Sequence, residues 1–333
     1  RTRLIVPSVL FLKCGKMIVL QNNENITHRK NIKLKKFIVV FSLSVFLVIV
    51  ISLLIFILNF LLKDAKEIKK IKSFWNEYDY ESVYNTSKDF LQNDAFNNTA
   101  LTYNGYSAFY LALSQLDSSL SQNYIDESIN SLRLALHSAR KNLKPQIAYM
   151  LGKAYFYKNS INSYYYSDLA IKYLTIAKKS GYKAADISEY LGLSYASLGQ
   201  TMDSIKEFTE ALLYRDSDFL LLSIAEQYNK AGLPNVSMQY LFRVIQNSQN
   251  EELVLKSRLL LGNIYLDDGK YADAKNEFDE ILKLNKNSAD AYYSLGLIYE
   301  KQGEMVKARA EWRKALKAQV NHPGALAKMS ANR

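Results

Sequence analysis

Residues 255–288 read LKSRLLLGNIYLDDGKYADAKNEFDEILKLNKNS, and residues 289–322 read ADAYYSLGLIYEKQGEMVKARAEWRKALKAQVNH. Laid over one another, the two stretches agree at the positions that decide structure. Leu261-Gly262 recurs as Leu295-Gly296, Tyr265 as Tyr299, Gly269 as Gly303, Ala274 as Ala308, and Phe278 as Trp312. Each pair lies 34 residues apart, so one unit is being copied, and a fixed period of this size marks a stack of repeats. A stack of this kind presents a long surface to partners, which is different work from catalysis.

Each unit reads as two helices. In Leu-Gly-x-x-Tyr the apolar residues fall three to four apart, on one stripe of a first helix. Its Gly lies on the packing face, where the missing side chain lets a neighbouring helix come close. Gly269 and Gly303 then end that helix, because Gly readily takes the left-handed conformation. A second apolar stripe follows at helical spacing: Ala274, Phe278 and Ile281, then Ala308, Trp312 and Ala315.

Walking upstream finds further copies. Leu191-Gly192, Tyr195, Gly199, Phe208 and Ala211 form a unit that begins near Ala185. Ile224-Ala225, Tyr228, Gly232, Leu241 and Val244 form another. Leu151-Gly152, Tyr155, Ala170, Leu174 and Ala177 fit once about six residues are inserted around Tyr164, Tyr165 and Tyr166. Gly105, Leu132 and Ala135 suggest a unit with a longer insertion, and Tyr80, Val83 and Phe90 the second helix of a first one. The expected organisation is a degenerate pair of units over 64–144, a regular array over 145–322, and a cap or tail over 323–333.

This pattern resembles the tetratricopeptide repeat, whose signature runs W-x2-L-G-x2-Y, then A-x3-F, then P. The chain departs from it in two respects. Tyr182, Asp216, Lys286 and Val320 stand where the terminal Pro belongs, and the first position is aromatic only at Tyr292. The resemblance implies an all-α fold, a right-handed superhelix of helix-turn-helix units. It also implies a concave groove, lined by the first helices, that takes a peptide or a partner helix.

The resemblance places groove-facing side chains two before the Leu, one after the Gly and one after the Tyr of each signature. Here these are Tyr149, Lys153 and Phe156; Glu189, Leu193 and Ala196; Leu222, Glu226 and Asn229; Leu259, Asn263 and Leu266; Tyr293, Leu297 and Glu300. Relatives that grip the carboxylate end of heat-shock chaperones use Lys, Asn and Arg at such positions. Lys153 and Asn263 stand isolated among apolar and acidic residues, so an amphipathic or extended segment is the expected occupant. The lengthened loop with Tyr164, Tyr165 and Tyr166 has two open readings. It meets a partner, a second copy or the membrane, or it folds back on Phe156 and Tyr157 and extends the core.

From Phe37 to Leu62 no charged residue occurs across 26 positions, and Ile, Val, Leu and Phe dominate. As a helix this run is ~39 Å long, enough to cross a hydrocarbon layer of ~30 Å with tilt. Residues 37–62 are therefore expected to be a single transmembrane helix. No small-residue cleavage site follows at Asn59-Phe60-Leu61-Leu62-Lys63, which argues against a removable signal peptide.

The net charge of +11 looks like a nucleic-acid signal until it is located. Fourteen Lys and Arg against three acidic residues lie within residues 1–72, leaving 29 of each sign in the rest of the chain. The repeats are neutral, and the basic excess flanks the apolar run, where it meets lipid headgroups. Nucleic-acid binding loses its support. Arg29, Lys30, Lys33, Lys35 and Lys36 form a dense cluster before the helix. Long domains translocate largely regardless of charge, so the tail is expected inside and the repeats outside, in a periplasm.

Residue 1 is Arg, and Met17 offers an alternative start to the basic tail, 1–36. Cys14 is the sole cysteine and follows Lys13, unlike a lipid-modified cysteine. The abundance of Asn, Lys, Ile and Tyr resembles proteins of AT-rich bacterial genomes. His28, His137 and His322 are scattered, and no metal-ligand or phosphate-loop spacing occurs. No catalytic residue, cofactor or metal is therefore expected. The sequence points to a membrane-anchored scaffold that helps assemble a bacterial envelope complex, such as a secretion system or flagellar motor. A chaperone-like module that catches unassembled polypeptides near the translocon is the alternative, and a second copy of the chain is a further candidate partner.

Overall fold

The structure is a computed structural model that describes residues 10–161 and 166–331. Contacts divide the chain into two units, Arg1–Lys70 and Ile71–Arg333, and α1 (Leu10–Asn76) runs across the division. In the first unit, every described side chain from 37 to 58 is exposed, although the segment is almost wholly apolar. Over this stretch the mean hydropathy reaches 3.2, so the helix is long and apolar enough to cross a membrane. Its two serines turn inward on their own backbone, Ser42 Oγ donating to Val39 O (2.9 Å) and Ser44 Oγ to Phe41 O (2.7 Å). Neither hydroxyl would be left unsatisfied in hydrocarbon.

The second unit is a succession of antiparallel helix pairs. The last turn of α1 leads into α2 (Tyr80–Asn93), which packs on α3 (Asn98–Ser114); α3 pairs with α4 (Ser118–Ser138), and α5 (Lys144–Ile161) with α6 (Ser167–Lys179). Then come α7 (Ile187–Ser197) with α8 (Thr201–Leu212), and α9 (Asp218–Lys230) with α10 (Pro234–Asn247). The stack ends with α11 (Glu251–Asp267) and α12 (Tyr271–Leu284), α13 (Ala289–Lys301) and α14 (Met305–Ala318), and a single closing helix, α15 (Pro323–Ala331). No strand occurs among the described residues. Helix starts follow local chemistry. Asn97, Asp117, Ser217, Asn250 and Ser288 cap α3, α4, α9, α11 and α13 by accepting a backbone N–H two or three residues on. Pro234 opens α10, where its missing N–H is no loss.

From α2 onward each helix packs on the next, and first helices also touch one another: α3 with α5, α5 with α7, α9 with α11, α11 with α13. The first helices therefore share one face of the stack. Inside each pair the repeat glycine receives a large side chain from the second helix. A Cβ on Gly262 would lie 2.5 Å from Phe278 Cε1, and one on Gly192 would lie 2.5 Å from Phe208 Cδ1. Gly296 faces Trp312 in the same way, Gly152 faces Leu174, and Gly105 faces Leu132. These partners are fully buried, each contributing about 1.5–3 kcal/mol relative to exposure. Ala225 takes the glycine's place opposite Leu241.

The interval from glycine to partner measures the insertions. It is 16 residues in the units of Gly192, Gly262 and Gly296, 22 at Gly152 and 27 at Gly105. The third unit thus carries six extra residues, and the second carries eleven. A small residue accompanies each glycine one turn before its partner. Where it is serine, it donates to the first helix: Ser204 Oγ to Gly192 O (2.8 Å), Ser237 Oγ to Ala225 O (2.7 Å), and Ser128 Oγ to Gly105 O (2.7 Å). The degenerate first units add a buried polar pin. Asn104 Nδ2 donates to Ser87 Oγ (3.2 Å) and its Oδ1 accepts from Ser131 Oγ (2.8 Å), tying α2, α3 and α4.

In the regular units the turn between paired helices uses one left-handed residue. Gly269 supplies it at φ 74°, with its N–H on Leu266 O (3.1 Å) and that of Lys270 on Tyr265 O (2.8 Å). The first unit makes the same two bonds, Tyr78 N–H to Trp75 O (3.1 Å) and Asp79 N–H to Phe74 O (3.0 Å), with Tyr78 at φ 59°. A side chain in this conformation costs about 1–2 kcal/mol, and the ring of Tyr78 is exposed, so packing does not offset the cost.

Two substitutions follow with opposite signs. Gly262→Leu overpacks the Phe278 contact and lowers stability by roughly 1–3 kcal/mol in chemical denaturation. Tyr78→Gly relieves backbone strain at some cost in chain entropy, for a net gain of about 0.5–1 kcal/mol by the same measurement. An unchanged midpoint for Gly262→Leu would mean that the glycine does not set the helix approach.

Candidate functional site

The shared face of the first helices differs sharply between the two ends of the stack. At the beginning it is closed by rings. Trp75 lies 5.5 Å from Tyr80, 5.6 Å from both Tyr103 and Tyr106, and 6.0 Å from Tyr110, while Tyr80 stacks on Tyr110 at 4.5 Å. Phe109 meets Tyr157 at 5.4 Å and Phe156 meets Tyr190 at 4.9 Å, both edge to face. Tyr106 and Phe109 are buried. Aromatic pairs of this geometry add about 0.5–1.5 kcal/mol beyond their buried area.

Tyr149 and Lys153 belong to this closed part. Tyr149 is only 8% exposed, and its hydroxyl donates to both carboxylate oxygens of Asp186, at 2.6 and 2.8 Å. Lys153 Nζ reaches the same carboxylate at 3.1 Å and lies 4.8 Å from the centre of the Tyr190 ring. Burial, reinforced by Asp186, holds the Tyr149 phenol protonated far above the usual phenol range, and burial does the same for Tyr106 and Tyr190. At Tyr149 and Lys153, two of the expected groove positions, the face is closed in this structure. Their polar atoms are engaged with the residue that leads into α7, and they lock two units together. Phe156 is half-buried against Tyr190.

Tyr164 and Tyr165 lie outside the described residues. Tyr166 folds back, its N–H on Asn159 Oδ1 (2.8 Å), its ring 6.2 Å from Tyr155, and Lys158 Nζ 4.7 Å from the ring centre. It extends the core through Tyr155 rather than through Phe156 and Tyr157.

In the middle of the stack Leu193 packs half-buried beside Phe208, Leu222 is buried, and Glu189 pairs with Arg215. Asn229 is half-buried and Glu226 is open to water. Although part of the Glu226 side chain reaches water, the surrounding face desolvates its carboxyl and raises the pKa above the usual carboxylate range, with Lys230 and Lys256 opposing the shift.

The far end is open. A cleft of about 670 Å³ is lined by Leu259, Asn263, Leu266 and Asp267 of α11 and by Asp290, Tyr293, Ser294 and Leu297 of α13. Five of the six groove positions expected in the last two units converge there; the sixth, Glu300, pairs with Lys328 at 2.6 Å beside it. Asn263 Oδ1 accepts from Ser294 Oγ (3.3 Å), so the group it offers to the cleft is its NH2 donor.

The end wall is the part that sequence reasoning missed. Gln319, His322, Pro323 and Gly324 close the cleft in front of α15. Gly324 lets that helix seat: a Cβ there would lie 2.6 Å from Tyr293 Cζ. His322 is buried, its Nδ1 accepting from the Ala325 N–H (3.1 Å) as a cap and its Nε2 lying 3.1 Å from Asp290 Oδ1. Pro323, at the start of α15, was the available signal for a helix beyond residue 322. Among the described residues no group of His, Cys, Asp and Glu is arranged to hold a metal ion.

Comparison with known proteins identifies the architecture. Residues 259–325 match the tetratricopeptide repeat family. Over 65 residues the chain is 40% identical to the photosystem I assembly protein Ycf3 of Synechococcus sp. (strain CC9605), a match that spans 19% of this chain and 38% of that relative. The apo form of the quorum sensor NprR from B. thuringiensis is similar in fold, with a TM-score of 0.55 at 19% identity over 80% of this chain and 79% of that one. So is the C-terminal part of a TPR repeat-containing protein from Cytophaga hutchinsonii, with a TM-score of 0.53 at 12% identity over 78% of this chain and 98% of that one.

Proposed function

The chain carries tetratricopeptide repeats, and from that premise we propose that it is a membrane-anchored scaffold that holds a protein partner at the open end of its first-helix face. The observation that carries the reading is the convergence of Leu259, Asn263, Leu266, Tyr293 and Leu297 on one cleft. Apolar walls with a few placed polar groups are what a polypeptide segment needs, apolar contact for affinity and amide donors for orientation. The closed aromatic half stiffens the stack and carries that cleft. The exposed apolar stretch of α1 supports a single-helix anchor, and the basic cluster from Arg29 to Lys36 supports repeats outside the cytoplasmic membrane.

Within this reading the work is assembly of an envelope complex. The name of the relative from Synechococcus, an assembly protein, favours that over transient capture of unfolded chains. A stack of this kind presents surface and requires no reaction.

Photo-crosslinking in intact cells checks the partner side. A benzophenone residue at Leu266 or Leu297 is expected to yield one or two discrete adducts, and the same residue at the exposed Lys275 of α12 none. Equal adducts at all three positions would contradict a partner at the cleft. Topology is checked by a reporter active only outside the cytoplasm, fused after Arg333. Activity is expected, and silence together with activity of a cytoplasmic reporter would reverse the orientation.

A further inference from the structure

The cleft has a charge preference that its resemblance to other repeats does not supply. Leu259, Leu266, Tyr293 and Leu297 make its apolar lining, and no Lys or Arg is among the described residues that line it. Among those residues the formal charges are Asp267, at the end of α11, and Asp290, at the start of α13. Elsewhere in these last units carboxylates are widely compensated. Asp268 pairs with Lys270, Glu277 with Arg258, Asp279 with Lys275, Glu280 with Lys283, Glu300 with Lys328 and Glu311 with Lys314.

Asp290 has a neighbour that does not neutralise it. His322 uses Nδ1 to accept the Ala325 N–H, so its proton sits on Nε2 and is donated to Asp290 as a neutral hydrogen bond. The Asp290 side chain stays 63% exposed. Asp267 faces the same opening and two adjoining hollows, one toward Asn229 and Tyr265, the other toward Tyr271, Glu300, Lys301 and Lys328, where Lys328 is paired with Glu300. A cleft that joins apolar walls to two carboxylates, with no lysine or arginine among its described lining residues, attracts cationic chains and repels anionic ones. The Asn263 amide and that of Gln319 supply donors for main-chain carbonyls, which fits a polypeptide better than an isolated amine.

We propose that this cleft selects a protein segment in which leucine-like side chains alternate with lysine or arginine, Asp267 and Asp290 reading the cations. The proposal rests on the scaffold reading of the same cleft and narrows its partner to one charge class.

The test uses the full chain in a neutral detergent and two fluorescent decapeptides, one alternating leucine with lysine, the other leucine with glutamate. Binding is followed by anisotropy in ~50 mM and ~500 mM salt. The lysine peptide is expected to bind about tenfold tighter at low salt, a preference that largely disappears at high salt as the charges are screened. Asp267→Asn and Asp290→Asn are each expected to weaken the lysine peptide about two- to fivefold without weakening the glutamate peptide. Leu266→Ser with Leu297→Ser should weaken both peptides. Helicity and melting of each variant, compared with the parent, exclude unfolding as the cause. Peptides that bind alike, or that ignore both Asp substitutions while responding to the Leu pair, would overturn the charge selection and leave the scaffold reading standing. Binding that ignores the Leu pair, or no binding of either peptide, would overturn both.

Discussion

The close approach of two helices at a residue without a side chain is the constraint on which this structure depends. In the units of Gly192, Gly262 and Gly296 the ring of Phe208, Phe278 or Trp312 lies over the glycine sixteen residues earlier. The ring fills the space a side chain would occupy, is excluded from water, and fixes the height at which the two helices cross. Leu174 and Leu132 do the same for the longer units of Gly152 and Gly105. Because one contact sets the geometry of each pair, pairs can differ in helix length without losing register. In the unit of Gly105 the eleven extra residues lengthen α3 and α4 themselves, and the turn between them, residues 115–117, is as short as the turn 268–270 between α11 and α12.

With the pairs fixed, the character of the shared first-helix face is decided by side chains from successive units. At the beginning, Trp75, Tyr106, Phe109 and Tyr149 meet rings and carboxylates from the next unit, and the face becomes core. At the end, Leu259, Leu266 and Leu297 are half-buried and line an open cleft, and α15 walls the space rather than filling it. The same backbone thus yields a stiff half and a receptive half. Gly324 and His322 hold the end wall of the receptive half, the first by yielding room to the Tyr293 ring, the second by capping the last helix.

Much of this was legible in the sequence because it is periodic. Leu295-Gly296 repeats Leu261-Gly262, and the stripe of Ala308, Trp312 and Ala315 repeats that of Ala274, Phe278 and Ile281, all of them fully or almost fully buried. The charge-free run from Phe37 was equally plain. What was not legible depends on contacts across units. Whether Tyr149 is a groove residue or a lock turns on Asp186, which lies in an irregular connection between α6 and α7 and follows no repeat rule. The cleft wall straddles the end of the last copy of the pattern, Gln319 and His322 inside it and Pro323 and Gly324 beyond it, where periodicity fades and Pro323 alone marked a helix start. Tyr78 escaped for the opposite reason. It occupies the glycine position of a unit whose first helix is shared with the apolar segment, so the signature around it is erased.

The division of one face into a closed and an open half is the central claim, and hydroxyl-radical footprinting of the full chain in detergent addresses it directly. Tyr, Phe and Leu are all oxidised when reached by solvent, so residues of both halves report in one experiment. The account predicts slow modification of Tyr106, Phe109 and Tyr149 and rapid modification of Leu259, Leu266 and Leu297, corrected for intrinsic reactivity. Comparable protection of the two groups would contradict it.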